Sequence, residues 1–171
     1  MRLFIALPAP EGARRALEDA QKALRRQGVR GRFTPPENQH MTLTFLGSVP
    51  DCAPVIEAMR GIDPVRTEFV FDRLTMFGSV LVALFRPDDK ADRYVRALRA
   101  ALDGAGIKYD RKAFRPHVTL CRDAAFPPSL RFDSSENTLC GVKIPTDKVQ
   151  LMSSDLSGET PRYTVIYTKT G

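Results

Sequence analysis

The chain of 171 residues has only two histidines, and both stand in the same short context. One opens the segment His40-Met41-Thr42-Leu43 and the other opens His117-Val118-Thr119-Leu120. In a β-strand, residues i and i+2 point to the same face. We therefore predict that each motif is a strand that presents one imidazole and one threonine hydroxyl together, while the residues between them enter the core.

The paired motifs indicate chemistry on a phosphodiester if the two strands face each other across a cleft. In-line attack at phosphorus needs a base on the entering oxygen and an acid on the leaving oxygen. Histidine titrates near neutrality and can take either part. The hydroxyls of Thr42 and Thr119 would donate to the non-bridging oxygens. A strained five-membered cyclic phosphate can be opened by His40 and His117 without a metal ion.

Two other uses of these residues are less favoured. A single histidine or threonine on an amphipathic strand is usually a surface residue or one selected for β-propensity, but the repetition of the whole motif favours catalysis. Metal binding is disfavoured because Asp123 alone cannot complete a site with His117. The chain has no C-x-x-C pair, and its three cysteines are widely spaced: Cys52, Cys121 and Cys140. We expect neither a metal ion nor another cofactor.

Hydrophobic periodicity and turn residues predict the elements that must position the two motifs. In chain order they are a strand over Leu3–Leu7, a helix over Glu11–Gln27 followed by Gly28, a loop over Arg32–Pro36, a strand over His40–Leu46, a short helix capped by Asp51, strands over Glu68–Met76 and Ser79–Phe85, a helix from Asp88 or Asp89 to Gly104, a strand over His117–Arg122, a polar loop over Asp133–Asn137, and strands around Thr138–Val142, Val149–Leu156 and Tyr163–Thr168.

The order helix, proline-containing loop, His-x-Thr-Leu strand occurs twice, about half a chain apart. This weak internal repeat predicts two similar lobes, each a small sheet with a helix on its outer side. No linker or low-complexity segment separates them. The fold class predicted is therefore α+β, with residues 1–171 forming a single domain of two lobes around a central groove.

Composition bounds the protein class. The hydrophobic fraction of 43% and the charged fraction of 27% are ordinary for a globular protein. A net charge of +6 is compatible with a polyanionic partner such as RNA, although most arginines near the first helix are expected to form a solvated face. No apolar run reaches membrane-spanning length. We expect a soluble, cytoplasmic protein with reduced cysteines, no membrane association and no obligate protein partner.

Four segments of the chain resemble the 2H phosphoesterase superfamily, and within it the RNA 2',3'-cyclic phosphodiesterases that are also called 2'-5' RNA ligases. The resemblance covers nearly the whole chain. It is carried by Met1-Arg2-Leu3-Phe4-Ile5-Ala6-Leu7, by Pro36-Glu37-Asn38-Gln39-His40-Met41-Thr42-Leu43-Thr44-Phe45-Leu46-Gly47, by Arg115-Pro116-His117-Val118-Thr119-Leu120-Cys121-Arg122, and by Leu151-Met152-Ser153-Ser154 with Thr160-Pro161-Arg162-Tyr163.

The resemblance implies two pseudo-symmetric lobes with the active site in the groove between them. It implies His40 as the proton donor to the departing 3'-oxygen and His117 as the proton acceptor from water, with release of a 2'-phosphate. It also points to Arg122 as a phosphate contact and to Phe45 as a base-stacking residue. Strict strand alternation contradicts the last two roles, because both residues have the opposite parity to the histidines, unless a bulge intervenes.

The expected partner is RNA or a nucleotide with a 2',3'-cyclic phosphate end. Three alternatives remain open: 2'-5' ligation of RNA at the same site, hydrolysis of another small cyclic nucleotide, and a non-catalytic RNA- or nucleotide-binding module. The chain also departs from the family, with Phe33 where a tryptophan is usual and no tryptophan anywhere. That departure leaves the base preference open.

Overall fold

The computed structural model describes all 171 residues, which form two antiparallel sheets with four α-helices. The elements are β1 (Arg2–Pro8), α1 (Glu11–Arg26), β2 (Arg30–Phe33), a 3₁₀ turn (Pro36–Asn38), β3 (His40–Ser48), α2 (Ala53–Arg60), β4 (Glu68–Phe77), β5 (Val80–Phe85), α3 (Asp89–Gly104), β6 (His117–Ala125), α4 (Asp133–Leu139), β7 (Lys143–Pro145), β8 (Lys148–Asp155) and β9 (Arg162–Thr170). The first sheet has the strand order β3-β1-β8-β9, and the second has the order β2-β6-β5-β4-β7.

Helices α1 and α3 have local sequence features that account for where they begin or end. The helically spaced apolar residues Ala13, Leu17, Ala20 and Leu24 of α1 are buried, and Gly28, just beyond its end, adopts a φ of +95°. A positive φ there suits glycine, which has no Cβ to clash with the last turn. At the start of α3, the Asp88 carboxylate accepts a hydrogen bond of 2.9 Å from the Ala91 amide. This cap satisfies one of the free donors at the helix N-terminus.

One continuous core joins the two sheets. It comprises 33 buried residues, including Leu3 and Ile5 of the first sheet and Phe69 and Phe85 of the second. The helices cross between the lobes: α1 follows β1 of the first sheet but packs against α4, which lies against β4, while α3 follows β5 of the second sheet and contacts α2 and β3. None of the four helices combines the length and the apolar character that crossing a membrane would require.

The predicted α+β class and the bilobal arrangement of two antiparallel sheets around a groove are confirmed. The prediction for residues 133–142 is wrong. Asp133–Leu139 is helix α4 rather than a loop, and the strand begins only at Lys143. The segment has no helical period of its own. Docking against α1 buries Leu139, and Glu136 accepts a hydrogen bond of 3.0 Å from the Leu74 amide, so tertiary contacts override local preference.

The loop predicted over Arg32–Pro36 begins instead as a strand. Arg30–Phe33 forms β2, which pairs with β6 at the edge of the second sheet. The segment gives no strand signal because it is short and largely exposed, without alternation of apolar and polar residues. Its pairing depends on the position of β6, which local sequence does not encode.

Candidate active site

A groove of about 840 Å³ lies between the two sheets where β3 and β6 meet. All six residues singled out from the sequence line it: His40, Thr42, Phe45, His117, Thr119 and Arg122. Its charged lining residues are three arginines and two acids, namely Arg2, Arg32, Arg122, Asp110 and Glu159. The groove therefore brings both His-x-Thr motifs to one concave surface with a net positive lining.

Each histidine is oriented by the backbone two residues before it. Nδ1 of His40 lies 2.7 Å from the Asn38 carbonyl oxygen, and Nδ1 of His117 lies 2.6 Å from that of Arg115. A carbonyl can only accept, so Nδ1 carries the proton in both rings. Nε2 is consequently the nitrogen that each neutral imidazole offers as a base and each imidazolium offers as an acid.

The hydroxyl of Thr42 lies 3.0 Å from Nε2 of His40. With Nδ1 protonated, the hydroxyl donates to Nε2 of the neutral ring, and it would accept from the charged ring. Thr119 follows His117 by two residues on its strand and also lines the groove. Each motif thus supplies an imidazole and a hydroxyl on the same strand face, as the strand period requires.

Aromatic side chains pack against both imidazoles. The His40 ring forms a three-ring cluster with Phe4, at a centroid distance of 4.8 Å, and Tyr163, at 5.2 Å, and those two rings also contact each other at 5.1 Å. The His117 ring meets the edge of Phe77 at 4.9 Å. These contacts fix the ring planes and remove water from them, which matters for their protonation.

Both imidazoles are harder to protonate than histidine in water. Burial among aromatic rings lowers the pKa of His40 to about 4, and the nearby charges of Arg122 and His117 act in the same direction, against the hydrogen bond to the Asn38 carbonyl. Burial also lowers the pKa of His117, with a further contribution from the charges of Arg115 and Arg122. In the free protein both rings are therefore neutral at neutral pH.

A β-bulge in each of the two motif strands, β3 and β6, turns Phe45 and Arg122 toward the groove, so the expectation from strict alternation is wrong. Between β1 and β3, Ile5 is opposite Thr44 but Ala6 is opposite Thr42, which leaves Leu43 as an extra residue. Beyond such an insertion the side-chain parity inverts. Phe45, 49% exposed, consequently joins the face of the histidine.

The second lobe has the same irregularity at the equivalent position. Leu81 is opposite Cys121 and Val82 is opposite Thr119, so Leu120 is the extra residue in β6. The side chains of Leu120 and Cys121 are both fully buried, and Arg122 then emerges on the groove side. Phe45 and Arg122 therefore occupy equivalent positions in the two lobes, five residues after their histidines.

Sequence reasoning misses the residues that hold the histidines in place. Phe4 and Tyr163 lie within segments that resemble the family, but nothing in the sequence assigns them a role, and Phe77 reads as part of a turn. The carbonyl groups of Asn38 and Arg115 both precede a motif histidine by two residues, and this shared spacing is the one available signal. Nowhere in the structure do three or more His, Cys, Asp or Glu side chains group as a metal-binding set.

Fold and site together define a class of α+β protein in which each lobe contributes one His-x-Thr strand to a shared groove. The family model described as LigT like Phosphoesterase matches the chain twice, over residues 7–84 and 82–167. The chain belongs to this family, and each of its halves carries the family pattern.

Similar proteins span nearly the whole chain. An RNA 2',3'-cyclic phosphodiesterase of Thermus thermophilus is 30% identical, with 97% of this chain and 88% of that protein covered. A Thermotoga maritima protein of the same name is 24% identical, with 98% and 94% covered. Among solved structures, a Thermus thermophilus protein has a TM-score of 0.72 at 29% identity, with 99% and 97% covered. Escherichia coli LigT in its apo form has a TM-score of 0.76 at 22% identity, with 99% and 96% covered.

Proposed function

We propose that this protein hydrolyses the 2',3'-cyclic phosphate of an RNA end or nucleotide to a 2'-phosphate, with His117 as the base and His40 as the acid. The observation that carries the proposal is the duplicated geometry. Each histidine is held through Nδ1 by a carbonyl, which leaves Nε2 as the nitrogen for proton transfer, and each motif also brings a threonine to the shared groove. Relatives over the full chain length are named RNA 2',3'-cyclic phosphodiesterases.

In the proposed reaction, the phosphate lies between the two strands with its non-bridging oxygens toward Thr42, Thr119 and Arg122. Nε2 of His117 takes a proton from water, and the water oxygen forms a bond to phosphorus. The bond from phosphorus to the 3'-oxygen breaks, and Nε2 of His40 gives that oxygen a proton. The products are a 3'-hydroxyl and a 2'-phosphate. The two Nε2 atoms together carry one proton before and after the reaction, first on His40 and then on His117.

The low pKa of His40 is compatible with its proposed role as the acid only if the bound substrate raises that pKa. A bound phosphate carries negative charge next to the ring and favours the imidazolium form. The Thr42 hydroxyl can turn from donor to acceptor at the same time. His117, whose pKa is also lowered in the free protein, supplies the neutral ring that the base requires. We further propose that the exposed ring of Phe45 stacks on the base of the nucleotide whose phosphate meets Arg122.

Ligation is the second candidate, because it is the same transfer at the same site, with a 5'-hydroxyl attacking phosphorus in place of water while the bond to the 3'-oxygen breaks. A non-catalytic binding module would have no need of two oriented proton-transfer groups. The deciding experiment incubates the purified protein with the four nucleoside 2',3'-cyclic phosphates in a strong chelator and analyses the products by phosphorus NMR.

Formation of nucleoside 2'-phosphates in the chelator is the expected result. Turnover that requires an added divalent ion would contradict the two-histidine mechanism, and 3'-phosphate products would reverse the assignment of the leaving oxygen. Absence of any product would favour the binding module. Adding an RNA with a 5'-hydroxyl end, and measuring 2'-5' joined product against hydrolysed product, separates ligation from hydrolysis.

A further inference from the structure

Two arginines lie side by side on the groove wall, and the proposed reaction uses only one of them. In the ladder between β2 and β6, Arg32 is the residue opposite Arg122, and both line the groove. Residues directly opposite in an antiparallel pair project to the same face of the sheet. Like charges opposed in this way are unfavourable on their own, so the arrangement calls for an anion between or beside them.

The backbone conformation at Gly31 lets Arg32 and Arg122 lie next to each other. Gly31 has a φ of +146°, and a Cβ built on it would lie 2.6 Å from the Arg122 carbonyl oxygen and 2.8 Å from that of Asp123. Only glycine allows β2 to approach β6 so closely. Arg30 is opposite Ala125 while Arg32 is opposite Arg122, so β6 carries an extra residue there, and Asp123 adopts a φ of +49°.

Asp123 holds the second arginine in the absence of substrate. Both Nε and Nη2 of Arg32 donate to the single oxygen Oδ2 of Asp123, at 2.9 and 2.6 Å. Both side chains are about two-thirds exposed, at 65% and 66%. An ion pair this exposed contributes little to stability and exchanges readily. Asp123 meets the arginine fork with only one of its two oxygens here, whereas a phosphodiester can meet it with both of its non-bridging oxygens.

We propose that Arg32 binds the phosphodiester that joins the terminal nucleotide to the nucleotide before it. The preferred substrate class is then the end of an RNA chain of two or more nucleotides rather than a free mononucleotide. The inference rests on the proposed function, in which Arg122 meets the cyclic phosphate. Of the three arginines that line the groove, Arg2 lies on the other sheet, so Arg32 is the neighbouring cation that the next phosphate along the chain can reach.

The test compares three substrates that share the same terminal cyclic phosphate, two of which differ only in the charge of the second phosphate. They are adenosine 2',3'-cyclic phosphate, the dinucleotide ApA ending in the same cyclic phosphate, and that dinucleotide with an uncharged methylphosphonate linkage. We expect the wild-type kcat/KM to be about tenfold higher for the charged dinucleotide than for the uncharged one, the change that corresponds to one charge-assisted hydrogen bond. In Arg32→Gln this ratio should fall to about one.

Two further variants sharpen the comparison. Arg30→Gln removes an exposed arginine of the same strand that does not line the groove, and it should keep the wild-type ratio. Asp123→Asn removes the competing carboxylate, and asparagine tolerates the positive φ. This variant should lower KM for the charged dinucleotide because a neutral amide holds Arg32 less strongly than a carboxylate does.

A wild-type ratio near one, or a ratio that survives in Arg32→Gln, would overturn the proposal while leaving cyclic phosphate hydrolysis intact. An equal loss on all three substrates in Arg32→Gln would also overturn it, since that result means a structural role for the side chain. If the wild-type protein does not open adenosine 2',3'-cyclic phosphate at all, the proposed function is wrong, and so is the proposed role of Arg32, which rests on it.

Discussion

In the free protein, His40 has the opposite protonation state to the one that its proposed role as acid requires. Its ring is packed against Phe4 and Tyr163, and burial lowers its pKa to about 4. A free imidazole with that pKa is a base at neutral pH. The proton needed by an acid must therefore be stabilised by the anionic substrate, which couples binding to protonation. His117 has a lowered pKa as well but is suited to the neutral role.

Replacing either histidine with alanine should lower kcat by about 10²–10⁴-fold, because each variant lacks one of the two proton transfers. The double variant should lose much less than the product of the two single losses, since the pair acts as a unit. Steady-state kinetics on a cyclic mononucleotide measures both effects. Thr44→Val is the matched control, because Thr44 is on the same strand with its side chain in the core and its hydroxyl unpaired. Near-normal activity in His40→Ala or His117→Ala would remove that residue from the mechanism.

The pH dependence should differ between kcat/KM and kcat. The reacting form needs one proton on the pair, and kcat/KM reports the free protein, where both pKa values lie below the ordinary 6.5. The maximum of kcat/KM should therefore lie below pH 6.5. In the complex the phosphate charge raises both pKa values, so the maximum of kcat should lie at a higher pH.

Both profiles should be bell-shaped. The two apparent pKa values of each profile describe the pair of histidines together and not one histidine each. Initial rates across pH 4 to 10, at low and at saturating substrate, give the two curves. A rate that keeps rising through pH 9 would mean that hydroxide attacks and that no histidine acts as base. A kcat/KM maximum above pH 7 would contradict the inferred direction of the pKa shifts.

Among the elements of the fold, a buried pair of amides ties the two motif strands together. The side-chain amide of Gln21 in α1 donates to the carbonyl oxygens of Thr34, at 2.8 Å, and Leu120, at 3.0 Å, and its own oxygen accepts from Gln39 at 3.2 Å. Leu120 is the bulged residue of β6, and Gln39 immediately precedes His40. One helix side chain thus spans from the segment before one histidine to the strand that carries the other.

Substituting Gln21 with leucine should destabilise the fold by about 1–3 kcal/mol, because buried partners lose their hydrogen bonds without gaining contact with water. Urea unfolding should show a lower midpoint with an unchanged slope. Lys22→Leu, next along α1 but exposed, is the control and should stay within about 0.5 kcal/mol of the wild-type protein. Equal stability of the Gln21 variant and the wild type would mean that the bulged strand does not depend on this contact.

Across the molecule, the crossed helices make each lobe depend on the other. Because α1 follows a strand of the first sheet and packs on the second lobe, while α3 does the reverse, neither half can bury its helix alone. The core of 33 residues includes side chains from both sheets. We infer that residues 1–171 fold as one domain with two lobes.

One cooperative unfolding transition is therefore expected, with far-UV circular dichroism and tyrosine fluorescence giving the same midpoint. The chain has four tyrosines and no tryptophan, so tyrosine is the available fluorophore. A calorimetric enthalpy equal to the van't Hoff enthalpy would agree with this expectation. Two separated transitions, or different midpoints for the two probes, would show that the lobes unfold independently.

The net charge of +6 should appear as a salt dependence of RNA binding. Each phosphate contact of a single strand contributes a slope of about −0.7 in log K against log salt, so three groove arginines correspond to about −2. Binding of a 2',3'-cyclic-phosphate-ended hexanucleotide to the inactive His117→Ala variant, from 50 to 300 mM salt, measures it. A flat affinity for the hexanucleotide would mean that the basic residues do not contact substrate.

Local sequence was enough to predict the candidate reacting groups and most of the elements that carry them. Two His-x-Thr-Leu segments in a chain with no other histidine predict paired strands, because the period of two places each imidazole with its threonine whatever the rest of the fold does. Helix α1 and the cap of α3 are also predictable, since their apolar spacing and the Asp88 side chain act within a few residues. The double family match shows that the repeat is real.

The other residues that join the histidines depend on how distant strands pair. Phe45 and Arg122 reach the groove through bulges at Leu43 and Leu120, and a bulge is defined by the register of a neighbouring strand that lies far away in the chain. The strand β2 and helix α4 likewise exist because β6 and α1 are there to pair and pack with them. Local periodicity carries no information on register between distant strands, and the register sets the face on which each of these side chains lies.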